Sequence, residues 1–292
     1  MLTAIVPVSD MAGRLQNLEN WLKEIGKLKL NVIIVHDYRD QQTLEELTRI
    51  TKSVNPGQVH LHSGVFGSPG AARNFGLEQS NTKYVCFWDS DDLPQPKTVY
   101  DALGKNLDDF DILVGQFRTL DNSSKIEIKD LSSDYDILDL AIKPGIWRMV
   151  FLREFVGNHR FRDMKMGEDQ LFIAELVKSN PCFVFTHDHF YEYFVGRNGQ
   201  LTSKSENKLE LIETYTALIK LREGSVESHF EYISVNLSRL WFSLLKMLKM
   251  RKESIRLLRA LGAKSYFICK NPQLRLRALL FVISRTFGKK QK

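Results

Sequence analysis

Cysteine is scarce in this sequence: three residues, Cys86, Cys182 and Cys269, are far apart and without C-x-x-C spacing. An odd, scattered set excludes a disulfide framework and a zinc knuckle and fits a reducing compartment. Proline (8) and glycine (17) are few and aperiodic among 292 residues, which excludes a collagen-like repeat and a low-complexity linker. Long apolar runs are missing too. The longest near the end, Ala278 to Ile283, is far too short to cross a bilayer. Met1-Leu2-Thr3 leads straight into a strand-like run without a basic n-region or cleavage site, so no signal peptide is expected and the chain is expected in the cytoplasm. No G-x-S-x-G, Walker A or G-x-G-x-x-G motif occurs.

What is present is a globular composition, 43% hydrophobic and 26% charged, with enough chain for a large core. The net charge of +6 is unevenly distributed. From Arg239 to Lys292 there are fifteen Lys/Arg against Glu253 alone, a net of +14. Residues 1–238 hold 26 bases and 34 acids, a net of −8. An acidic body therefore carries a strongly basic end.

The first half alternates strand-like and helix-like segments. Thr3–Val8, Asn31–Val35, Val59–Leu61 and Tyr84–Trp88 are short apolar runs. Between them fall Leu15, Leu18, Leu22 and Ile25 at helical spacing (with Ser9 or Asp10 as N-cap), an acid-rich helix through Leu44 and Leu47, and a helix from Ala71 to Gln79. This alternation predicts an α/β fold with a mostly parallel sheet covered by helices on both faces. In such sheets ligands bind at the carboxyl ends of the strands. That rule selects Pro7 to Asp10, Asp37, the turn from Gly67 to Asn74, and Asp89 to Asp92. Further on, Ile112–Phe117 and Lys125–Ile128 read as an antiparallel pair. Trp147–Phe155 and Glu168–Lys178 read as helices, Phe183–Phe194 as two strand pieces, and the chain from about Ser205 as helical. Two regions are expected: 1–205, and a basic helical region 206–292.

Several clusters could carry chemistry. Asp89-Ser90-Asp91-Asp92 places three mutually repelling carboxylates after a strand, an arrangement that calls for a cation. Hard oxygens suit Mg²⁺ or Mn²⁺, especially one shared with substrate phosphates; the alternative is a turn whose acids cap the helix near Pro96. Gly70-Ala-Ala-Arg73-Asn74-Phe-Gly76 opens a helix with small residues and a cation, either an anion site or an ordinary turn. Glu168 and Asp169 stand in a helix's first turn, where the dipole favours acids and where a base could also face a cleft. The pairs His60/His62 and His187/His189 could each ligate a metal from one strand face, but such spacing is more often coincidental.

Taken in order, Ala4–Val8, Val32–Asp37, Gly70–Gly76, Tyr84–Asp92, Gly167-Glu168-Asp169-Gln170, and Tyr191-Glu-Tyr193 leading to Gly199–Thr202 resemble the family 2 glycosyltransferases of the GT-A fold, over roughly residues 3–203. The resemblance implies an inverting transfer of a sugar, of the hexosyl or N-acetylhexosaminyl class, from a nucleotide-sugar, commonly a UDP-sugar, to an acceptor hydroxyl. It implies that Pro7 and Val8 line the nucleotide pocket, Asp37 holds the base, and Gly70 and Arg73 lie near the nucleotide. Asp89 falls near the ribose and metal, Asp91 on the metal, and Asp92 within reach of either role. Asp169 matches the catalytic base. One departure stands out: where the family has two acids and a D-G-S turn, this chain has His36-Asp37-Tyr38-Arg39.

The basic end interleaves its charges with Trp241, Phe242, Leu244, Leu245, Leu279 and Phe281. It either packs on the catalytic body or lies on an anionic membrane, where each Lys/Arg adds about 1 kcal/mol. Membrane contact is the expectation, on the inner face of the plasma membrane, with a saccharide or lipid-linked saccharide as acceptor in cell-surface polysaccharide or glycolipid assembly. Nucleic acid is not expected as a partner. Two other readings remain: a haloacid-dehalogenase-type phosphohydrolase using Asp89 and Asp91, and a non-catalytic basic membrane- or nucleic-acid-binding protein.

Overall fold

Apolar β-branched runs bounded by turn residues extend, and apolar positions three and four apart coil. A computed structural model describes residues 2–54, 57–105, 110–120, 126–127, 136–195, 210–223 and 227–247. Its first half alternates as the pattern requires: β1 (Leu2–Val8), α1 (Gln16–Glu24), β2 (Leu30–Asp37), α2 (Gln41–Ser53), β3 (Val59–Gly64), α3 (Pro69–Gln79) and β4 (Tyr84–Phe87). The elements β5 (Leu93–Pro94), α4 (Pro96–Lys105), β6 (Ile112–Leu120), β7 (Ile126–Glu127), α5 (Ile137–Ile142), β8 (Met149–Leu152) and α6 (Arg153–Val156) follow. Then come α7 (Glu168–Val177), β9 (Phe183–Phe194), α8 (Glu210–Glu223) and α9 (Glu227–Met247).

The strands form one sheet in the order β3-β2-β1-β4-β8-β6-β9-β5, with β7 beside β6. β3, β2, β1 and β4 are mutually parallel. β8 then runs antiparallel to both β4 and β6, while β9 is parallel to β6. The sheet is therefore parallel in one half and mixed in the other. Side chains alternate across it: Ile5, Val85 and Phe87 enter one core with α5, α7, α8 and α9, and Ala4, Val6, Cys86 and Trp88 enter the other with α1, α2 and α4. This is a three-layer α/β arrangement.

The structure departs from the sequence expectations in three places. Residues 147–155 are not one helix: a 3₁₀ turn at Ile146–Arg148 leads into β8 and the short α6. Met149-Val-Phe-Leu152 is drawn into the gap between β4 and β6, and its buried apolar side chains reach both cores. Residues 183–194 are one twelve-residue strand, with its register to β6 shifted around Gln116. Neither Ser9 nor Asp10 caps α1, which begins at Gln16 after Leu15 without a side-chain cap; both line a cleft instead. The antiparallel β6–β7 pair is present.

Helices α8 and α9 pack into the core they share with the sheet: Tyr215, Leu218, Tyr232, Leu237, Leu240 and Leu244 are buried there. The basic stretch thus begins, at Arg239, on a helix that packs against the body. Its remainder, 248–292, lies outside the described residues, as do Gly199–Thr202 and the expected boundary at 205. Among the described residues no helix is long and apolar enough to cross a membrane.

Candidate active site

The carboxyl ends of the parallel strands β1, β2 and β4 open into a cleft of about 650 Å³. Pro7 and Val8 line it from β1, Asp37 and Arg39 from the end of β2, Asp89, Ser90 and Asp91 from the turn after β4, and Gly167 to Gln170 from the start of α7. Of the residues nominated by the strand-end rule and the motif order, Pro7, Val8, Asp37, Arg73, Asp89, Asp91 and Asp169 all reach this one cleft. Gly70 is not among the lining residues. A Cβ there would stand 2.4 Å from the backbone oxygen of Arg162, so this glycine permits close approach of α3 to the segment before α7.

The Gly70–Gly76 motif is a hub for that approach. Ser68 caps α3 by accepting from the Ala71 amide at 3.2 Å, and its hydroxyl donates to Asp163 at 2.6 Å. The Asn74 amide clasps Phe161 through its backbone: Nδ2 donates to the Phe161 oxygen, and the Phe161 N–H donates to Oδ1, both at 2.8 Å. Arg73 is buried, 5.6 Å over the Phe161 ring, and donates to Glu168 Oε1 at 2.6 Å and Asp89 Oδ1 at 2.8 Å. Burial works against its charge, but Asp89, Glu168 and Asp169 outweigh that and raise its pKa.

Adjacent acids are thereby separated in role. Glu168 is turned inward onto Arg73, with its side chain 8% exposed. Asp169 faces the cleft and accepts the Gln170 amide at 2.8 Å. Burial first, then the charge of Glu168, push Asp169 up to about 7, against the pull of Arg73 and of the Gln170 amide. Gly167 makes the turn at φ 88°, and a Cβ on it would meet Thr214 Oγ1 at 2.2 Å. The Glu210 carboxylate of α8 accepts the Lys165 and Met166 amides at 2.5 and 3.1 Å, fixing the approach to α7.

The acids after β4 are sorted in the same way. Asp92 is buried, and its Oδ1 accepts the Phe194 amide at 2.9 Å. Burial and then the charges of Asp91 and Asp89 raise its pKa. It ties the β4 turn to β9 and does not line the cleft. Asp89 donates its amide to the Tyr191 hydroxyl at 3.0 Å. Asp91 lines the cleft, and its backbone oxygen accepts from Asn17 at 3.0 Å. Asp91 and Asp89 carry the hard oxygens that a divalent cation prefers and both line the cleft, with Asp89 Oδ1 already held by Arg73. No group of three or more His, Cys, Asp or Glu side chains suited to a metal occurs among the described residues. His62 packs against Phe75 at 5.3 Å, and none of His60, His62, His187 and His189 lines the cleft.

Sequence reasoning did not nominate Arg14 or Lys165, which also line the cleft, and it quoted Tyr193 within the Tyr191-Glu-Tyr193 motif without giving it a place there. Trp147, stacked on Tyr191 at 4.5 Å and on Tyr193 at 5.3 Å, forms an aromatic wall with Tyr193. Nor was Arg239 foreseen, whose Nη2 donates to Gln170 from α9 and to Asn236 at 2.8 Å. Alternating Tyr191 and Tyr193 on one strand face was a readable sign of the aromatic wall; the partner of Arg239 had no local sign.

The sequence model of the family described as Glycosyl transferase family 2 matches residues 3–194. The chain is 25% identical over 215 residues to poly(ribitol-phosphate) beta-N-acetylglucosaminyltransferase TarS of Staphylococcus aureus, a match covering 70% of this chain and 37% of that protein. It is 21% identical over 233 residues to the GalNAc(5)-diNAcBac-PP-undecaprenol beta-1,3-glucosyltransferase of Campylobacter jejuni, covering 77% and 75%. The match thus spans little more than a third of TarS. In fold, the chain is similar to S. aureus TarS 1–349 in complex with UDP-GlcNAc, with a TM-score of 0.67 at 15% identity over 100% of this chain and 93% of that one. It is also similar to the mannosyltransferase PcManGT of Pyrobaculum calidifontis in complex with GDP-Man and Mn²⁺, with a TM-score of 0.60 at 15% identity over 99% and 88%.

Proposed function

The chain belongs to glycosyl transferase family 2, and from that premise we propose that it transfers a sugar from a nucleotide-sugar, UDP-linked, to an acceptor hydroxyl with inversion at the anomeric carbon. The observation that carries this reading is the convergence of Asp89 and Asp91 with Asp169 on one cleft. Inversion in a single displacement needs a base on one side of the anomeric carbon and stabilised departure on the other. Asp169 is the base: it takes the acceptor hydroxyl's proton as the oxygen attacks, an effect of about 10²- to 10⁴-fold. Its raised pKa supports that role, since a base poised near neutrality both ionises and accepts. Arg73 and Glu168 hold the wall from which Asp169 projects, and Pro7, Val8 and Asp37 line the side given to the nucleotide.

Asp91, with Asp89 beside it, would hold a Mg²⁺ or Mn²⁺ ion. When bound, that ion would neutralise charge growing on the departing diphosphate. The acceptor proposed is a saccharide or lipid-linked saccharide of the cell surface, in keeping with the printed activities of TarS and the Campylobacter enzyme. The basic residues after Met247 are proposed to hold the enzyme at an anionic membrane.

The test is UDP release from a panel of UDP-sugars with Mn²⁺, set beside hydrolysis of phosphate esters. Release by the wild type and its loss in Asp91→Ala and Asp169→Asn is the expected result. Ester hydrolysis without sugar transfer would overturn it.

A further inference from the structure

Helix α7 carries Asp169 in its first turn, which its own cap leaves unanchored. The capping residue, Gly167, supplies no side-chain hydrogen bond, and the first amides of a helix have no partner in its ladder. The anchors come from other elements, one on each side of Asp169. Before it, Glu168 accepts from the buried Arg73 of α3 at 2.6 Å. After it, Gln170 accepts on Oε1 from Nη2 of Arg239, a residue of α9. The same Nη2 donates to Asn236 Oδ1 at 2.8 Å, which braces the guanidinium from the preceding turn of α9. Gln170 is bound to Asp169 as well: its backbone amide donates to Asp169 Oδ1 at 2.8 Å. Both residues line the cleft.

The composition of α9 fits this attachment. Tyr232, Asn236 and Arg239 fall at i, i+4 and i+7, so one line of the helix is polar, while Ile233, Leu237, Leu240 and Leu244 enter the core. Tyr232 and Asn236 are fully buried. Burial raises the Tyr232 pKa; Arg239 pulls against it and Asp169 adds to it, so the hydroxyl feels both the cation and the carboxylate. Burying polar groups costs stability, and a helix that only packed would be apolar along this line.

We propose that Arg239 is a positioning residue of the transfer reaction: from α9 it fixes Gln170, and through Gln170 it holds the Asp169 carboxylate in the orientation that meets the attacking hydroxyl. This rests on the assignment of Asp169 as the base given above. With Oδ1 taken by the Gln170 amide, Oδ2 is the oxygen left to receive the proton. A base acts only from a fixed position, and a displacement of about 1 Å costs about 10²-fold in rate. Helix α9 lies beyond residues 3–194, the part of the chain that the family model matches, so the site draws on a helix outside that part.

The experiment follows UDP release from UDP-GlcNAc, UDP-glucose and UDP-galactose with Mn²⁺, water taking the place of the acceptor hydroxyl. It compares the full chain with Arg239→Ala, Arg239→Lys, Gln170→Ala and the double variant Arg239→Ala/Gln170→Ala. Rates are counted per UDP-binding site, measured by calorimetric titration with UDP and Mn²⁺, so that a partly unfolded sample does not mimic a slow one. Arg239→Ala is expected to lower kcat about ten- to hundredfold while donor KM and UDP affinity stay as in wild type. Arg239→Lys keeps a donor and recovers part of the loss. Gln170→Ala shows a loss of similar size, and the double variant is no slower than the slower single one, because the two residues act as a unit. An unchanged kcat per site in Arg239→Ala overturns the inference and leaves the base assignment standing, since Asp169→Asn tests that separately. Losses that multiply in the double variant also overturn it, by separating Arg239 from Gln170. If Arg239→Ala does not fold, wild-type kcat in both Gln170→Ala and Arg239→Lys overturns it equally. No UDP release from any donor by the wild type overturns the transfer reading and the inference together.

Discussion

Arg73 and Glu168 lie 95 residues apart and meet at 2.6 Å, with both side chains buried, and this ion pair joins α3 to the start of α7 beneath the cleft. Asp89, on the other nitrogen of the same guanidinium at 2.8 Å, extends the link to the turn after β4. Three motifs distant in sequence are thus fastened by one cation.

That arrangement makes Arg73 a stability residue as well as a site residue. Arg73→Ala leaves Glu168 buried without its partner, next to Asp89 and Asp169, and breaking a buried pair in this way costs about 3–5 kcal/mol. Denaturant unfolding should register a loss of that size. Arg73→Lys should fall well short of rescue, because one ammonium cannot serve two carboxylates in fork geometry. A variant as stable as wild type would show that the pair carries no weight.

The strand–helix alternation of the first half was legible because its strands are bounded by turn residues and α1 and α2 show apolar stripes, while α3 is announced by the Gly67–Gly70 turn that opens it. Residues 147–155 were not, since Met149–Leu152 is a strand only through its neighbours β4 and β6, and local spacing does not record neighbours. The site divides in the same way. Strand ends and motif order nominate Asp37, Asp89, Asp91 and Asp169, while the division of labour between Glu168 and Asp169, or Asp91 and Asp92, depends on Arg73, Phe194 and Tyr191 arriving from elsewhere.

Asp169 should govern the pH profile. Its pKa stands at about 7 against the ordinary 3.8, so the ionised base accumulates as pH rises through about 7. Accordingly kcat/KM should climb tenfold per pH unit below that point and level off above it. Asp169→Asn should bind UDP as wild type does, lose about 10²- to 10⁴-fold in kcat, and lack the climb. Stability runs the other way. A raised carboxylate pKa contributes stability that is fully present below the unfolded value and lost as pH rises through the folded one. Unfolding measured from pH 4 to 8 should therefore show wild type falling relative to the Asn variant. A flat kcat/KM across pH 6 to 8 in wild type would refute the assignment.

Asp91 and Asp92 should separate cleanly by measurement. Asp92→Ala removes the carboxylate that accepts the part-buried Phe194 amide and should lower stability by about 0.5–1.5 kcal/mol while leaving the Mn²⁺ dependence of activity unchanged. Asp91→Ala, from the cleft wall, should keep the unfolding midpoint and abolish activity at any Mn²⁺ concentration. Exchanged outcomes would exchange the roles.

The basic end can be tested only if it is cut in the right place. Removing everything after Glu231 would take Tyr232, Leu237, Leu240 and Leu244 out of the core, along with the Arg239 contact to Gln170 beside the base. Each of those side chains contributes about 1.5–3 kcal/mol through burial, so such a variant would report on folding rather than on membranes. A cut after Met247 spares α9 and removes thirteen of the basic stretch's fifteen Lys/Arg, leaving Arg239 and Lys246 in place. The shortened chain should keep its unfolding midpoint and its UDP affinity. It should lose sedimentation with anionic vesicles, and for the full chain that sedimentation should weaken steeply between low and physiological salt, because each Lys/Arg near the surface supplies about 1 kcal/mol that ions screen. Equal vesicle binding by the two forms would place the attachment on the body instead, and salt-independent binding by the full chain would make it apolar rather than electrostatic.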